Sequence, residues 1–231
     1  KAPAAQHLAH LLSQMGAGIS GAGGPVITIN GVERLHGVRN YPVIPARSEA
    51  GTFLIAAAIT RSQLRVEPVI PEHLSAVLQK LRDCGCQLEI DQTGISITSG
   101  DIQAVDITTQ PFPGFPTDLQ APFMALMATA QGTSVISEKI YENRLQHVAE
   151  LQRMGASIRV EGSTAIVEGV AQLSAAPVTG SDLRAAAAMV LAGLVANGTT
   201  KVSGLKHLDR GYDNVEAKLN AVGAQLERQQ G

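Results

Sequence analysis

The stretch Leu151-Gln152-Arg153-Met154-Gly155-Ala156 has the form of a helix that ends at a glycine, and Ser157-Ile158-Arg159-Val160 follows it as a strand of alternating apolar residues. Glycine is favoured at such a junction because it adopts the left-handed conformation that stops a helix without a Cβ penalty. The same pattern recurs at Gly16, Gly85 and Gly223, with spacings of 69, 70 and 68 residues. Four glycines at a nearly constant spacing predict an internal repeat.

The segments between these glycines also repeat. Each is predicted to contain short strands of alternating apolar residues, an amphipathic helix and an almost wholly apolar helix that lies buried. The apolar helices open with a polar or acidic residue that is expected to cap them, at Arg47-Ser48-Glu49, Pro116-Thr117-Asp118 and Gly180-Ser181-Asp182. The pattern therefore predicts an α/β protein built from βαβαββ units of about 69 residues.

The phase of the repeat suggests a domain division. The first predicted element is the amphipathic helix over residues 4–15, which is a late element of a unit, and a segment rich in Gly and Pro follows at residues 31–45. We therefore predict that residues 1–42 are the C-terminal remnant of a first domain and that residues 43–231 form a second domain of repeated units. The elements expected ahead of the first helix are predicted to lie upstream.

Composition limits the class of protein. Apolar residues make up 45% of the chain and charged residues 16%, with a net charge of −2. No basic face with interleaved aromatic residues is present, which argues against nucleic-acid binding. No apolar stretch is long enough to span a bilayer, and two cysteines do not form a disulfide framework. We expect a cytoplasmic globular protein.

Three arginines occupy loop or helix-start positions in consecutive repeats: Arg144, Arg184 and Arg210. If the repeat places these loops along one edge of the domain, the guanidinium groups converge. Arginine binds carboxylate or phosphate through a planar fork and keeps its charge. The alternative is that all three are solvated surface residues.

Two acids precede the buried helices. Asp118 follows a rigid Gly- and Pro-containing turn and is either a helix cap or a general base that accepts a proton from a bound hydroxyl group. Asp182 is the matching acid one repeat later, beside Arg184, and we expect it to orient its neighbours rather than act as a second base.

Other candidate sites have simpler interpretations. Cys84 and Cys86 correspond to Met, Ala and Val in the other repeats, so they are expected to fill a helix-to-strand junction, and no metal site is predicted. His7 and His10 are expected to be solvated or to cap a helix. The glycine-rich segment at residues 21–24 lies between two strands and is expected to be a hairpin turn rather than a phosphate-binding loop.

Several sequence motifs resemble those of the UDP-N-acetylglucosamine 1-carboxyvinyltransferases of the enolpyruvyl transferase family. They occur in the family's order over essentially the whole chain: Phe115-Pro116-Thr117-Asp118-Leu119-Gln120-Ala121, Glu142-Asn143-Arg144, Leu151-Gln152-Arg153-Met154-Gly155-Ala156, Asp182-Leu183-Arg184-Ala185 and Asp209-Arg210-Gly211-Tyr212. The resemblance implies an inside-out α/β barrel, with helices inside and sheets outside, and an active site in a cleft between two domains.

The resemblance also implies a reaction and a set of site residues. The reaction is transfer of enolpyruvyl from phosphoenolpyruvate to the 3-hydroxyl of UDP-N-acetylglucosamine, without a cofactor, in the peptidoglycan synthesis that cell wall biogenesis, cell shape and cell division require. By matching position, Asp118 takes the hydroxyl proton and Arg210 is a mobile group on the phosphate. Arg144 and Arg184 clamp the phosphoenolpyruvate carboxylate. Thr117, Asp182 and the backbone near Ile140 complete the substrate contacts.

The family's N-terminal Lys-Asn pair, a further arginine and a loop cysteine have no counterpart in this sequence. We therefore expect the chain to carry part of an active site, to be inactive alone and to need an N-terminal domain of the same enzyme as its partner. Two alternatives stay open at this point: a relative of the shikimate-pathway enolpyruvyl transferase, or a non-catalytic binding domain that uses the same fold.

Overall fold

The computed structural model describes residues 2–229, which form helices and short strands in alternation. The α-helices are α1 (Pro3–Gln14), α2 (Arg47–Ile59), α3 (Ser75–Asp83), α4 (Gln120–Met127), α5 (Val148–Arg153), α6 (Leu183–Val195), α7 (Leu205–Leu208) and α8 (Val215–Ala221). The strands are β1 (Gly18–Ser20), β2 (Thr28–Asn30), β3 (Gln63–Val66), β4 (Gln87–Ile90), β5 (Ile95–Thr98), β6 (Ile107–Thr108), β7 (Thr133–Ser137), β8 (Ser157–Glu161), β9 (Thr164–Glu168), β10 (Pro177–Thr179) and β11 (Lys201–Ser203). Short 3-10 helices at Pro71–Leu74 and Thr117–Leu119 precede α3 and α4.

The predicted repeat unit is present in full between β6 and β9. Its order β6-α4-β7-α5-β8-β9 is βαβαββ, and its strands form one sheet in the order β6-β7-β9-β8. Strand β6 is parallel to β7, and the other neighbours are antiparallel. The preceding unit has only the sheet β3-β5-β4, because the segment ahead of α2 is not a strand. The following unit has the parallel pair β10-β11 within the described residues.

All four glycine stops have the predicted left-handed backbone. The φ angles are +99° at Gly16, +105° at Gly85, +90° at Gly155 and +103° at Gly223. After each glycine, the next backbone N–H donates to the carbonyl five residues back, as in Ala156 N to Leu151 O at 3.1 Å. This is the hydrogen bond of a Schellman motif, and it satisfies a carbonyl that the helix end would otherwise leave unpaired. The prediction of a repeated helix stop is confirmed.

The three apolar helices α2, α4 and α6 pack against one another and form the centre of the core. All eight residues of α4 are buried, and α6 contributes Ala186, Ala187 and Ala188 to the same core. Small residues allow the close approach: a Cβ atom on Gly51 of α2 would collide with the side chain of Leu119, just ahead of α4. The sheets lie around this helical centre. Because α4 packs against α6, the first turns of the two helices lie side by side.

Only one of the three predicted helix caps forms. Asp182 Oδ1 accepts from the backbone N–H groups of Arg184 and Ala185 at 2.7 and 3.3 Å. Neither α2 nor α4 has a side-chain cap, so the prediction for Ser48 and Thr117 was wrong. At the start of α4 the side chains have stronger partners: Thr117 donates its hydroxyl to Glu138, and Asp118 binds an arginine.

Residues 2–42 contain α1 and the antiparallel hairpin β1-β2, whose turn includes Gly21 and Gly23 with positive φ angles, as predicted. His10 is exposed, as the expectation of a solvated side chain requires, whereas His7 is half-buried. Both rings also contact Tyr41. The Tyr41 hydroxyl lies 3.0 Å from His10 Nδ1 and donates to the carbonyl oxygen of His7 at 3.1 Å. The division between residues 42 and 43 stays a prediction, and its outer ends, Lys1 and residues 230–231, lie outside the described residues.

Across residues 2–229, the apolar helices are all too short to cross a lipid bilayer.

Candidate functional site

Asp118 and Arg184 form an ion pair at the first turns of two neighbouring helices. Asp118 lies in the 3-10 turn ahead of α4, and Arg184 is the second residue of α6. Asp118 Oδ1 accepts from Arg184 Nε at 2.7 Å and from Nη2 at 2.6 Å, and both side chains are about 30% exposed. The pair therefore faces an open space rather than the core, and Asp118 is not a helix cap.

Asp182 is the residue at the N-terminal cap of α6, two positions ahead of Arg184. Its carboxylate caps α6 and holds the backbone N–H of Arg184, so it contributes to the direction in which that arginine leaves the helix. The orienting role of Asp182 in the site stays a prediction.

Arg144 lies in the loop between β7 and α5. Its guanidinium carbon is 4.3 Å from the centroid of the Tyr141 ring, a cation–π contact that holds the side chain without using its N–H donors. Asn143 precedes it with a φ of +54°, in the left-handed region that asparagine tolerates better than most residues. Within the described chain, Arg144 Nε is buried and has no hydrogen-bond partner. A donor of this kind suits an incoming anion.

His147 is buried next to this loop, with 3% of its surface exposed. Burial lowers the pKa of His147 to about 4; the Arg144 guanidinium acts in the same direction, while the carboxylates of Asp182 and Glu138 and a hydrogen bond to the Arg144 backbone oppose the shift. These mutual interactions place Arg144, Asp182 and Glu138 around one neutral imidazole. The Arg144 loop and the start of α6 are thus parts of one cluster.

Acidification is expected to destabilise the protein through His147. Its pKa is about 4 in the folded chain and 6.5 in the unfolded reference, so the unfolded chain binds more protons between these values. The free energy of unfolding therefore falls as the pH drops through this window and stops falling from this cause below about pH 4. Between pH 7 and pH 4.5, the wild-type chain should lose about 2 kcal/mol more than His147→Gln, measured by urea unfolding.

Val43→Ala provides the control, because it changes an exposed side chain without a titratable group and should keep the wild-type pH dependence. Equal losses for the wild-type chain and His147→Gln would contradict the prediction.

Arg210 lies in the turn after α7, where its side chain is exposed. It makes no hydrogen bond or ion pair with any other residue in the range 2–229. Its neighbours anchor the turn: a Cβ atom on Gly211 would lie 2.9 Å from Leu183, and the Tyr212 hydroxyl is 2.8 Å from Thr52 Oγ1. Burial raises the pKa of Tyr212, and the nearby carboxylates of Asp118 and Glu49 add to the shift. Arg210 therefore extends from a segment that lies beside the Asp118–Arg184 pair.

The Thr117 hydroxyl and the Ile140 backbone N–H both bind Glu138, a residue that was not predicted to belong to the site. Glu138, which directly follows β7, is 3% exposed. Its Oε2 accepts from the Thr117 hydroxyl at 2.9 Å, and its Oε1 accepts from the backbone N–H of Ile140 at 2.9 Å. The Ile140 side chain itself is exposed.

A sequence signal for Glu138 did exist. In β7 the buried residues are Ser134 and Ile136, and Glu138 continues the same alternation, so its side chain points to the inner face. A charged residue in register with the buried face of a strand is informative because charged side chains are seldom buried without partners. His147 had no such signal, because its burial depends on how α5 packs against the next unit.

Cys84 and Cys86 lie in the hydrophobic core, as predicted from their counterparts in the other repeats. No group of three or more His, Cys, Asp or Glu side chains is arranged to hold a metal ion in the described part of the chain. The candidate site therefore consists of one ion pair, two further arginines and the buried groups behind them.

The sequence profile of the EPSP synthase (3-phosphoshikimate 1-carboxyvinyltransferase) family matches residues 1–219. The chain belongs to this family. Members of the EPSP synthase family with high similarity include UDP-N-acetylglucosamine 1-carboxyvinyltransferases from Parasynechococcus marenigrum, 93% identical over 229 residues, and from Synechococcus sp., 78% identical over 226 residues. These alignments cover 99% and 98% of the chain but only 53% and 52% of the relatives. The chain thus spans about half the length of the curated relatives it matches.

Solved structures of the EPSP synthase family share the fold. The enolpyruvyl transferase NikO from Streptomyces tendae matches with a TM-score of 0.79 and 25% identity, over 92% of this chain and 51% of that one. The EPSP synthase from Acinetobacter baumannii matches with a TM-score of 0.70 and 21% identity, over 95% of this chain and 54% of that one, which supports the fold alone. The predicted inside-out α/β architecture of the enolpyruvyl transferases is confirmed.

Proposed function

We propose that this chain supplies one wall of an active site that transfers enolpyruvyl from phosphoenolpyruvate to the 3-hydroxyl of UDP-N-acetylglucosamine. The observation that carries the proposal is the Asp118–Arg184 pair, which places an acid and a guanidinium fork at one exposed edge, with the Arg144 loop and the Arg210 turn beside it. The 93% identity to a UDP-N-acetylglucosamine 1-carboxyvinyltransferase supports this choice of substrates.

The chemistry requires a base and several cations. The acceptor hydroxyl loses its proton, its oxygen bonds to the enolpyruvyl carbon, and the bond from that carbon to the phosphate oxygen breaks. Asp118 accepts the proton. Arg144 and Arg184 bind the carboxylate of phosphoenolpyruvate, and the exposed Arg210 neutralises the phosphate that leaves. Thr117, Asp182 and the backbone near Ile140 hold the sugar nucleotide or orient its partners.

The ion pair suggests how substrate binding prepares the base. In the structure, Nε and Nη2 of Arg184 both donate to Asp118 Oδ1. A phosphoenolpyruvate carboxylate that takes over this fork frees Asp118 Oδ1, which can then accept a hydrogen bond from the acceptor hydroxyl.

The remaining features of the function belong to the same proposal. The rest of the active site lies in the half of the relatives that this chain does not match, and the partner is that N-terminal domain. Residues 1–42 belong to the first domain and residues 43–231 to the second. The enzyme works in the cytoplasm, in peptidoglycan synthesis, and uses no cofactor.

Thermal unfolding with added ligands tests the choice of substrate. UDP-N-acetylglucosamine with phosphoenolpyruvate should stabilise the chain by about 2–3 kcal/mol at a concentration of 100 Kd, because ligands that bind only the folded state shift the unfolding equilibrium. Arg144→Ala should reduce the shift, and Arg153→Ala, which removes a largely exposed arginine on α5, should not. Protection by shikimate 3-phosphate instead would favour the shikimate-pathway alternative.

Activity is tested in a hybrid enzyme, defined as the 93%-identical relative with this chain in place of its matching half. The hybrid should release phosphate from the two substrates, whereas the chain alone should not. A hybrid that folds without turnover, together with the absence of ligand protection, would instead support a non-catalytic binding domain.

A further inference from the structure

A buried carboxylate links the two loops of the candidate site. Glu138 follows β7, and four donors surround it: the hydroxyl groups of Thr109 and Thr117 and the backbone N–H groups of Ile140 and Tyr141. The distances lie between 2.8 and 3.0 Å. The donors are all neutral groups, and their number satisfies both carboxylate oxygens.

The donors come from three separate segments. Thr109 follows β6, Thr117 opens the 3-10 turn that carries Asp118, and Ile140 and Tyr141 begin the loop that carries Arg144. Thr109 also accepts from the backbone N–H of Lys139 at 2.8 Å, so it binds the same loop twice, directly and through Glu138. Breaking this network would leave buried polar groups without partners, which is costly.

The two oxygens of Glu138 have different tasks. Oε1 accepts from Thr109, Ile140 and Tyr141, so it holds the Arg144 loop. Among residues 2–229, Oε2 accepts from Thr117 alone, so it sets the direction of the Thr117 hydroxyl next to Asp118. Because Thr117 uses its one proton for Glu138, its lone pairs are left to accept from a ligand.

We propose that Glu138 is a positioning residue for the enolpyruvyl transfer: it fixes Thr117 as a hydrogen-bond acceptor for the sugar nucleotide and holds the Asp118 turn in register with the Arg144 loop. This inference rests on the proposed function of the site. Glu138 touches neither substrate, and it acts only through Thr117 and the backbone of the loop.

Glu138→Gln separates the two tasks. The amide oxygen can replace Oε1 and keep the loop contacts, whereas the amide nitrogen must replace Oε2 and donate to Thr117. Thr117 then accepts a hydrogen bond from the introduced glutamine and turns its own proton toward the ligand. The Thr117 hydroxyl therefore presents a donor to the sugar nucleotide instead of an acceptor. In the hybrid enzyme, we expect KM for UDP-N-acetylglucosamine to rise about 10-fold and kcat to fall about 10-fold, with KM for phosphoenolpyruvate unchanged within about 2-fold.

Glu138→Ala removes both tasks and should weaken both substrates, with kcat/KM lower by at least about 100-fold. The control is Glu168→Gln, because Glu168 ends β9 in the same sheet but is exposed. Thr117→Val should reproduce the loss for UDP-N-acetylglucosamine and add little to Glu138→Gln in the double variant, since both changes remove one interaction.

The outcomes separate this inference from the proposed function. An active wild-type hybrid in which Glu138→Gln behaves like Glu168→Gln would overturn the positioning role and leave the function intact. Equal losses for both substrates in Glu138→Gln would also overturn it, because a purely structural residue disturbs the two loops together. If the wild-type hybrid shows no turnover, the proposed function and the positioning role of Glu138 are both overturned.

Discussion

Replacement of Asp118 by asparagine is expected to lower kcat of the hybrid enzyme by about 10³-fold, within the range for loss of a general base. Asparagine has nearly the same shape and can still accept a hydrogen bond from Arg184, but it cannot take the proton of the acceptor hydroxyl. The effect on folding should be small: the ion pair is about 30% exposed on each side, and such pairs contribute at most about 1 kcal/mol. Phosphate release measures the first effect and urea unfolding the second.

Asp83 provides a matched control, because it is an acid at the end of α3 that also pairs with a cation, Lys80 at 3.5 Å. Asp83→Asn should keep the wild-type turnover. The proposed role of Asp118 would be wrong if Asp118→Asn retained more than a tenth of the wild-type kcat. Protection by UDP-N-acetylglucosamine should survive in part, since Thr117 and the Ile140 backbone remain.

The largest loss of stability is expected for Phe123→Ala, at about 3–5 kcal/mol, because the change leaves a cavity in addition to the lost burial. Phe123 is fully buried in α4, at the centre of the three-helix core. Its ring also packs edge-on against Phe115, with the centroids 5.3 Å apart and the planes at 74°. Urea unfolding followed by circular dichroism gives the change in free energy.

Phe115 precedes Asp118 by three residues, so loss of the Phe123 ring should also loosen the site. Ligand protection by UDP-N-acetylglucosamine is therefore expected to weaken in Phe123→Ala, even under conditions where the variant is folded. Val43→Ala is the control, because Val43 is 79% exposed and its truncation should change the stability by less than about 0.5 kcal/mol. A loss below 1 kcal/mol for Phe123→Ala would show that the core can collapse around the missing ring.

The repeat could be predicted because its signals are local. A glycine such as Gly155 ends a helix through its own backbone conformation, and the alternation in Ser157-Ile158-Arg159-Val160 reports a strand with one buried face. The sequence of α6 predicts a buried helix, because apolar residues occupy its whole circumference. The positions of the short strands β6 and β10 could not be read from the sequence, because strands of two or three residues carry too little periodicity.

The helix caps show where local signals fail. Ser48, Thr117 and Asp182 have similar cap-forming chemistry, yet only Asp182 caps its helix. Thr117 has Glu138 within reach, 21 residues away along the chain, and Asp118 has Arg184, 66 residues away. A side chain takes the strongest partner that the fold brings near it, and neighbouring sequence does not reveal that partner.

The amino-acid sequence by itself determined the repeat, the class of fold and the types of side chain at the site, because these follow from short-range periodicity, glycine conformation and recognisable sequence motifs. Only the tertiary structure decided which of those side chains meet. The packing of α4 against α6 joins Asp118 to Arg184, and the end of β7 brings Glu138 under Thr117 and the Arg144 loop. The Asp118–Arg184 contact depends on the relative placement of two units, 66 residues apart along the chain, and the Glu138 contacts depend on how one unit folds onto itself. Both placements are set by the shared core rather than by any local pattern.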